Sequence, residues 1–276
     1  SSSVGTYQLD ITVSNCPSPM TFVSSTTTQG NTSAVAPGTT DREIVGIQVV
    51  ASGAVSPFDA TQLRLRTTGT TDWANDLTGN LKVYYTGNSS TFATTTLFGS
   101  AALAAPGADI LVNGTQTLAN GTNYFWVAYD IAAGATLGNV VDALCNRITL
   151  NGGVGNQIPT VTTPAGNRLI DIVYCTSNAT NSGDSEVDNV VLVGDINTIS
   201  NNTASTCAQY SDFTGLTPAE LTPAGNYQVD VTLGTCGGDY TKYARVFIDW
   251  NKDGDFADAN EDLGEQGGVS ATTTYN

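Results

Sequence analysis

Apolar and polar residues alternate through most of this chain, in short runs punctuated by glycine and asparagine. The stretch 6–13 is typical: Tyr7, Leu9, Ile11 and Val13 fall on one face of an extended chain, and Gln8, Asp10 and Thr12 on the other. A period of two does not suit the 3.6-residue repeat of an amphipathic helix, and no helical pattern runs beyond about two turns. Thr, Ser, Asn and Gly dominate, while strong helix formers are scarce. The expectation is an all-β protein of two β-sandwich domains in tandem, Ig- or jelly-roll-like, with an extra N-terminal strand.

Punctuation gives the boundaries. The prolines of Cys16-Pro-Ser-Pro19 end the first strand, because proline cannot donate to a ladder. Residues 1–20 are therefore an N-terminal strand and linker, 21–165 a first sandwich and 166–276 a second, joined at Thr163-Pro-Ala-Gly-Asn167. Strands are expected at 43–50, 62–67, 81–86, 124–131 and 140–150 in the first sandwich, with turns at Pro37-Gly38, Thr78-Gly79-Asn80, Gly87-Asn88, Asn113-Gly114, Asn120-Gly121 and Asn151-Gly152-Gly153. The second should contain strands at 169–174, 189–193, 227–233 and 243–250, and 269–276 reads as a strand start with nothing after it to pair. The strand carrying Tyr7, Leu9, Ile11 and Val13 has no hairpin partner. It is expected to fill an open sheet edge in a neighbouring domain or another subunit, and repeated donation would build a filament.

Charge narrows the partners. Among 276 residues acids outnumber bases 25 to 9, a formal net charge of −16. Nucleic acid and anionic membrane surfaces call for the opposite sign. No apolar stretch approaches the ~20 residues that span a bilayer. The chain starts at Ser1 with no basic-then-apolar segment, as expected once a signal peptide has gone. Five cysteines, one Met and no His point to disulfides in an oxidising, extracellular setting rather than to a zinc cluster. Cys207 and Cys236 flank a hairpin region and are expected to pair. Cys16 and Cys145, near the two ends of the first sandwich, are the second expected pair, leaving Cys175 over.

The densest chemistry lies in Asp249-Trp-Asn251-Lys-Asp253-Gly254-Asp255, where side-chain oxygens occupy alternate positions and a glycine permits a sharp bend. Ca²⁺ takes six to eight oxygens, and a curled loop of this pattern can supply them. Asp249 counts as position one of an EF-hand loop, but position twelve is Asn260, and Glu261 arrives one step late. The expected ligands are Asp249, Asn251, Asp253 and Asp255, with Asp258 or Glu261 closing the shell. The preceding apolar run reads as a strand, so the site is expected between strands.

Enzyme chemistry finds little purchase. Without histidine, Ser-His-Asp and Cys-His mechanisms are excluded, and no Gly-x-Ser-x-Gly elbow or phosphate-cradling glycine loop occurs. Sugar binding is the competing reading, since exposed aromatic rings serve as platforms. Trp73, in a polar stretch, is the ring expected to be exposed, whereas Tyr84, Tyr85 and Trp126 suit a core.

Two resemblances add to this reading. Tyr174-Cys175, Tyr210-Ser-Asp-Phe-Thr214, Gly225-Asn-Tyr-Gln-Val-Asp-Val231 and Val246-Phe-Ile-Asp-Trp-Asn-Lys-Asp-Gly-Asp-Phe256 resemble a GEVED domain, a β-sandwich module of secreted and surface proteins of Bacteroidetes-type bacteria. Where that family carries its namesake acidic motif, this chain reads Asn260-Glu-Asp-Leu-Gly-Glu265. The segment Thr21-Phe-Val-Ser-Ser-Thr-Thr-Thr-Gln29, Leu81-Lys-Val-Tyr-Tyr-Thr-Gly87 with Phe92, and Asn123-Tyr-Phe-Trp-Val-Ala-Tyr-Asp130 are similar to the β-sandwich that precedes sialidase-like BNR repeats. The resemblances imply type IX export, a long multidomain parent and a non-catalytic adhesive or structural role at the bacterial cell surface. Its partners would be other copies or other domains of the same protein. The alternative they leave is a glycan-binding accessory module of a secreted glycoside hydrolase.

Overall fold

A computed structural model describes residues 17–276 apart from 175, 176, 178, 205 and 253. The expected strand at 6–13, Cys16, Cys175 and Asp253 lie outside the described residues. The chain divides into two compact units, 1–173 and 174–276.

Unit 1 contains β1 (Thr21–Thr28), β2 (Arg42–Ser52), β3 (Asp59–Arg66), the one-turn α1 (Trp73–Asp76), β4 (Leu77–Tyr85), β5 (Leu97–Ala102) and β6 (Ile110–Thr117). It continues with β7 (Gly121–Ile131), β8 (Val140–Val141), β9 (Leu144–Leu150), β10 (Gly155–Gln157) and β11 (Arg168–Leu169). Its sheets run β1-β2-β7-β4-β5 and β10-β9-β3-β6, with a small β11-β8 pair, and all the ladders are antiparallel. Side chains from both larger sheets, among them Val45, Ile47, Leu63, Leu65, Phe125 and Ile148, meet in one buried core. This is the β-sandwich that the alternating pattern implies.

The central strand β7 is buried on both faces, as its continuous apolar run requires. Phe125, Val127 and Tyr129 enter the core, while Trp126 and Ala128 lie under a second cluster with Tyr84 and Phe92. Trp126 stacks on Tyr124 at 6.0 Å and donates from Nε1 to Thr86 Oγ1 at 2.8 Å. Beside this cluster, Lys82 Nζ bridges Asp41 (2.8 Å) and Asp130 (2.9 Å), and the Tyr84 hydroxyl also donates to Asp41. Burial and the adjacent Asp41 push the Tyr84 phenol up to about 12. Burial opposes ionisation of Asp41 as well, but the hydrogen bonds from Lys82 and Tyr84 outweigh it and hold its carboxyl below the ordinary value.

Several expectations need correction. The expected strand 140–150 is cut at Asp142, because Thr70 Oγ1 donates to Asp142 O and accepts from Asp142 N, replacing the ladder partners. Thr78-Gly79-Asn80 is an irregularity inside β4 instead of a turn: the register jumps between Thr78 and Lys82, and Gly79 has φ +67°. Asn113-Gly114 lies within β6, where a Cβ on Gly114 would strike Phe98, so close packing explains the glycine. The boundary falls later than 165. Ile170 is fully buried in the unit 1 core, and the Arg168 guanidinium donates to the carbonyls of Ser33, Ala34 and Glu43. Trp73 is half-buried and packs on the unit 1 core, because α1 lays it there. Cys145 is a free thiol inside that core, on the inward face of β9, and is not in the bond expected with Cys16; burial pushes it up to about 12.

Unit 2 contains β12 (Ser185–Val193), β13 (Thr198–Asn202), β14 (Val229–Thr235), β15 (Lys242–Phe247), β16 (Asp262–Val269) and β17 (Thr273–Tyr275). One sheet runs β13-β12-β14-β17, and β15-β16 form a separate hairpin. The C-terminal stretch has a partner after all, since β17 pairs with β14 through Val231↔Tyr275 and Leu233↔Thr273. Cys207 and Cys236 are bonded, with Cα atoms 5.7 Å apart.

Candidate metal centre

The acidic loop is the connection of the β15–β16 hairpin. β15 delivers the chain at Phe247, β16 takes it back at Asp262, and Ile248 N donates to Glu261 O at 2.8 Å to close the neck. Inside, Asp249 organises the first turn. Its Oδ1 accepts from Lys252 N (2.5 Å), and its Oδ2 accepts from Gly254 N and from the Tyr174 hydroxyl, both at 3.0 Å. Gly254 has φ +93°, where a side chain is strained, which accounts for the glycine among the acids. Lys252 and Asn260 also take left-handed conformations, at φ +60° and +69°, so the loop curls at both ends.

Asn251 Nδ2 donates to Asp258 Oδ2 at 2.6 Å, tying the two arms together, and Asp255 Oδ1 accepts from Ala257 N at 2.8 Å. Phe256 is stacked on Tyr174 at 5.5 Å and tilted against Phe247 at 5.4 Å, which anchors the loop.

Glu261 differs from the other acids. It is 1% exposed, whereas Asp255 and Asp258 are exposed. Its Oε1 accepts from Trp250 N at 3.0 Å, which places the carboxyl at the loop neck. Its Oε2 is buried without a hydrogen-bond partner among the described residues. A buried carboxylate oxygen left without a donor is costly unless a cation or water satisfies it. The donor set is all oxygen, which suits a hard cation and not zinc. Of the two sequence candidates for closing the shell, Glu261 has the buried, open oxygen, and Asp258 is engaged with Asn251. The one-residue offset from an EF-hand follows from the flanks: a hairpin neck, not a helix, returns the chain here.

A second cluster, Glu186 with Cys207 and Cys236, brings three metal-type ligands within 4.8 Å. Both sulfurs are consumed in the disulfide, so no thiolate is available, and Glu186 Oε2 instead accepts from Cys207 N at 2.6 Å. Sequence reading did not single out Glu186; no motif marks it.

No protein-family model matches the chain, and no curated protein matches it. Among solved structures, the Hadza microbial sialidase Hz136 is similar at 14% identity and a TM-score of 0.38, over 74% of this chain and 40% of that one. This chain thus spans less than half the length of that sialidase chain. Among the described residues, no helix is long and apolar enough to cross a membrane.

Proposed function

We propose that this chain is a non-catalytic structural or adhesive module of a large secreted or cell-surface bacterial protein, stiffened by Ca²⁺ in the 249–261 loop. The observation that carries this reading is the buried Glu261 carboxylate, with Oε2 open, at the neck of a loop rich in acids. Asp249, Asn251 and Asp255 stand in the same loop, with Asp253 expected beside them. Calcium there would neutralise Glu261 and lock the β15–β16 hairpin, and the Cys207–Cys236 bond ties the segment after β13 to the end of β14. The role is mechanical: a small β unit with little buried apolar surface is held rigid by a metal and a covalent link. The disulfide fits an extracellular site.

Calorimetry in Ca²⁺ and in chelator tests this. Chelation is expected to lower the Tm of unit 2, and Glu261→Gln to erase most of the difference while the chelated protein stays folded. An unchanged melting curve in chelator overturns the calcium reading. A glycan-binding module gains no support from Trp73, which rests on the core. A glycan array is expected to stay blank.

A further inference from the structure

The sandwich of unit 2 is open along one flank. In its four-stranded sheet the pairs Val187↔Leu233, Val190↔Val231 and Leu192↔Val229 share one apolar face, and Ile199 joins it from β13. The β15–β16 hairpin covers this face only in part, and Val187 stays 46% exposed. A groove of about 440 Å³ is lined by five consecutive residues of β15, 243–247. Successive strand residues point to opposite faces, so a groove touching all five runs against the backbone edge of β15. Among the described residues, that strand pairs with β16 alone. The groove shares Val187 and Val190 with a hollow of about 600 Å³ over β12 and β13, walled by Tyr210, Phe213 and Leu216. An unpaired edge above a partly uncovered apolar floor is what an added strand requires.

We propose that this groove accepts residues 6–13 of a second copy of the chain as a strand on the free edge of β15, with Tyr7, Leu9, Ile11 and Val13 turned onto Val187 and Val190. The occupant follows from its pattern and length. Its apolar residues alternate without a break, with Gln8, Asp10 and Thr12 left for solvent. Eight residues at roughly 3.3 Å each span about 26 Å, enough to cover the six-residue β15. Pro17 and Pro19 stand between the segment and β1, and proline cannot donate to a ladder. Each copy carries one donor and one acceptor at different places, a heterologous contact that propagates as an open fibre. This deepens the structural reading above and rests on it.

The test is sedimentation velocity on the full chain in Ca²⁺ over a concentration series, with Leu9→Asp/Ile11→Asp as the variant. A labelled synthetic peptide of residues 4–15 serves as competitor. Wild type is expected to grow with concentration, and the variant to remain monomeric, its association weakened about 100-fold or more by placing two charges where large apolar groups were buried. The peptide should bind the variant saturably and slow amide exchange in β15. A monomeric wild type, assembly untouched by the two substitutions, or a peptide that does not bind each overturns the proposal. So does a monomer in which the substitutions expose β15, because the strand then serves its own chain. The chelator-dependent Tm measured on the same variant reports the calcium reading separately.

Discussion

Asp142 shows how much one carboxyl can decide. It is 7% exposed, and burial pushes its carboxyl up to about 6, against the Ala143 N–H that donates to Oδ1 at 2.7 Å. The Gln29 amide, oriented to satisfy both neighbours, donates to Gly166 O and to the same Oδ1. A folded pKa above the unfolded value of about 3.9 means that the native state holds this proton more tightly between roughly pH 4 and 6. Its contribution to stability is therefore fully present below the unfolded value and is lost as pH rises through the folded one. Asp142→Asn keeps the accepting oxygen and removes the buried charge. It is expected to stabilise unit 1 by up to about 2 kcal/mol at pH 7.5 and to do nothing near pH 3.5. Chemical denaturation of both proteins at the two pH values checks this, and a gain at low pH would contradict it. Nothing in the sequence marks Asp142 apart from the other nine acids of unit 1, since its burial depends on Gly69 and Gln29 from distant elements. Glu261 was legible as a candidate because it belongs to a local acidic run; that it, and not Asp258, is buried depends on the hairpin neck.

At the level of elements, the strands that read clearly are those whose pattern records their burial. β7 announced two buried faces and β3 alternates as a half-buried strand does, whereas β2 is buried on both faces over 44–47 and β4 over 83–85. Glycines misled because they serve two purposes. At Gly38, Gly87, Gly152 and Gly153 positive φ makes turns, whereas Gly114 yields space to Phe98. Gly79 does a third thing: at φ +67° it lets β4 slip register so that Lys82 lands opposite Ala128, within reach of Asp41 and Asp130. The requirement is for a left-handed backbone, with Asp130 the nearest side chain a Cβ would meet, at 3.3 Å. Gly79→Ala is then expected to destabilise by about 1–2 kcal/mol, and Gly79→Asn by less although Asn is larger, because Asn tolerates that conformation. Equal losses, or a greater loss for Asn, would show that space and not backbone geometry governs the site.

The two units of the molecule are stabilised by different means. Unit 1 encloses a broad core, from Met20 to Ile170. In unit 2, among the described residues, Val231 and Leu233 are the buried apolar side chains, and Val187, Val193, Tyr243 and Phe247 remain exposed. Apolar burial supplies most folding free energy, so unit 2 must lean on its cross-links. The Cys207–Cys236 bond, at a sequence separation of 29, contributes roughly 3–4 kcal/mol in the loop-entropy model. Two stabilities in one chain should give two calorimetric transitions instead of one. The lower is expected to belong to unit 2 and to fall further on adding chelator or reductant. The upper should ignore both, because unit 1 relies on neither the acidic loop nor the 207–236 bond. Leu63→Ala, which empties a fully buried position in unit 1, should lower the upper transition alone, with a loss of about 2–5 kcal/mol. If both transitions move together under chelator, under reductant and on Leu63→Ala, the units are energetically one body and the division of labour drawn from their cores is wrong.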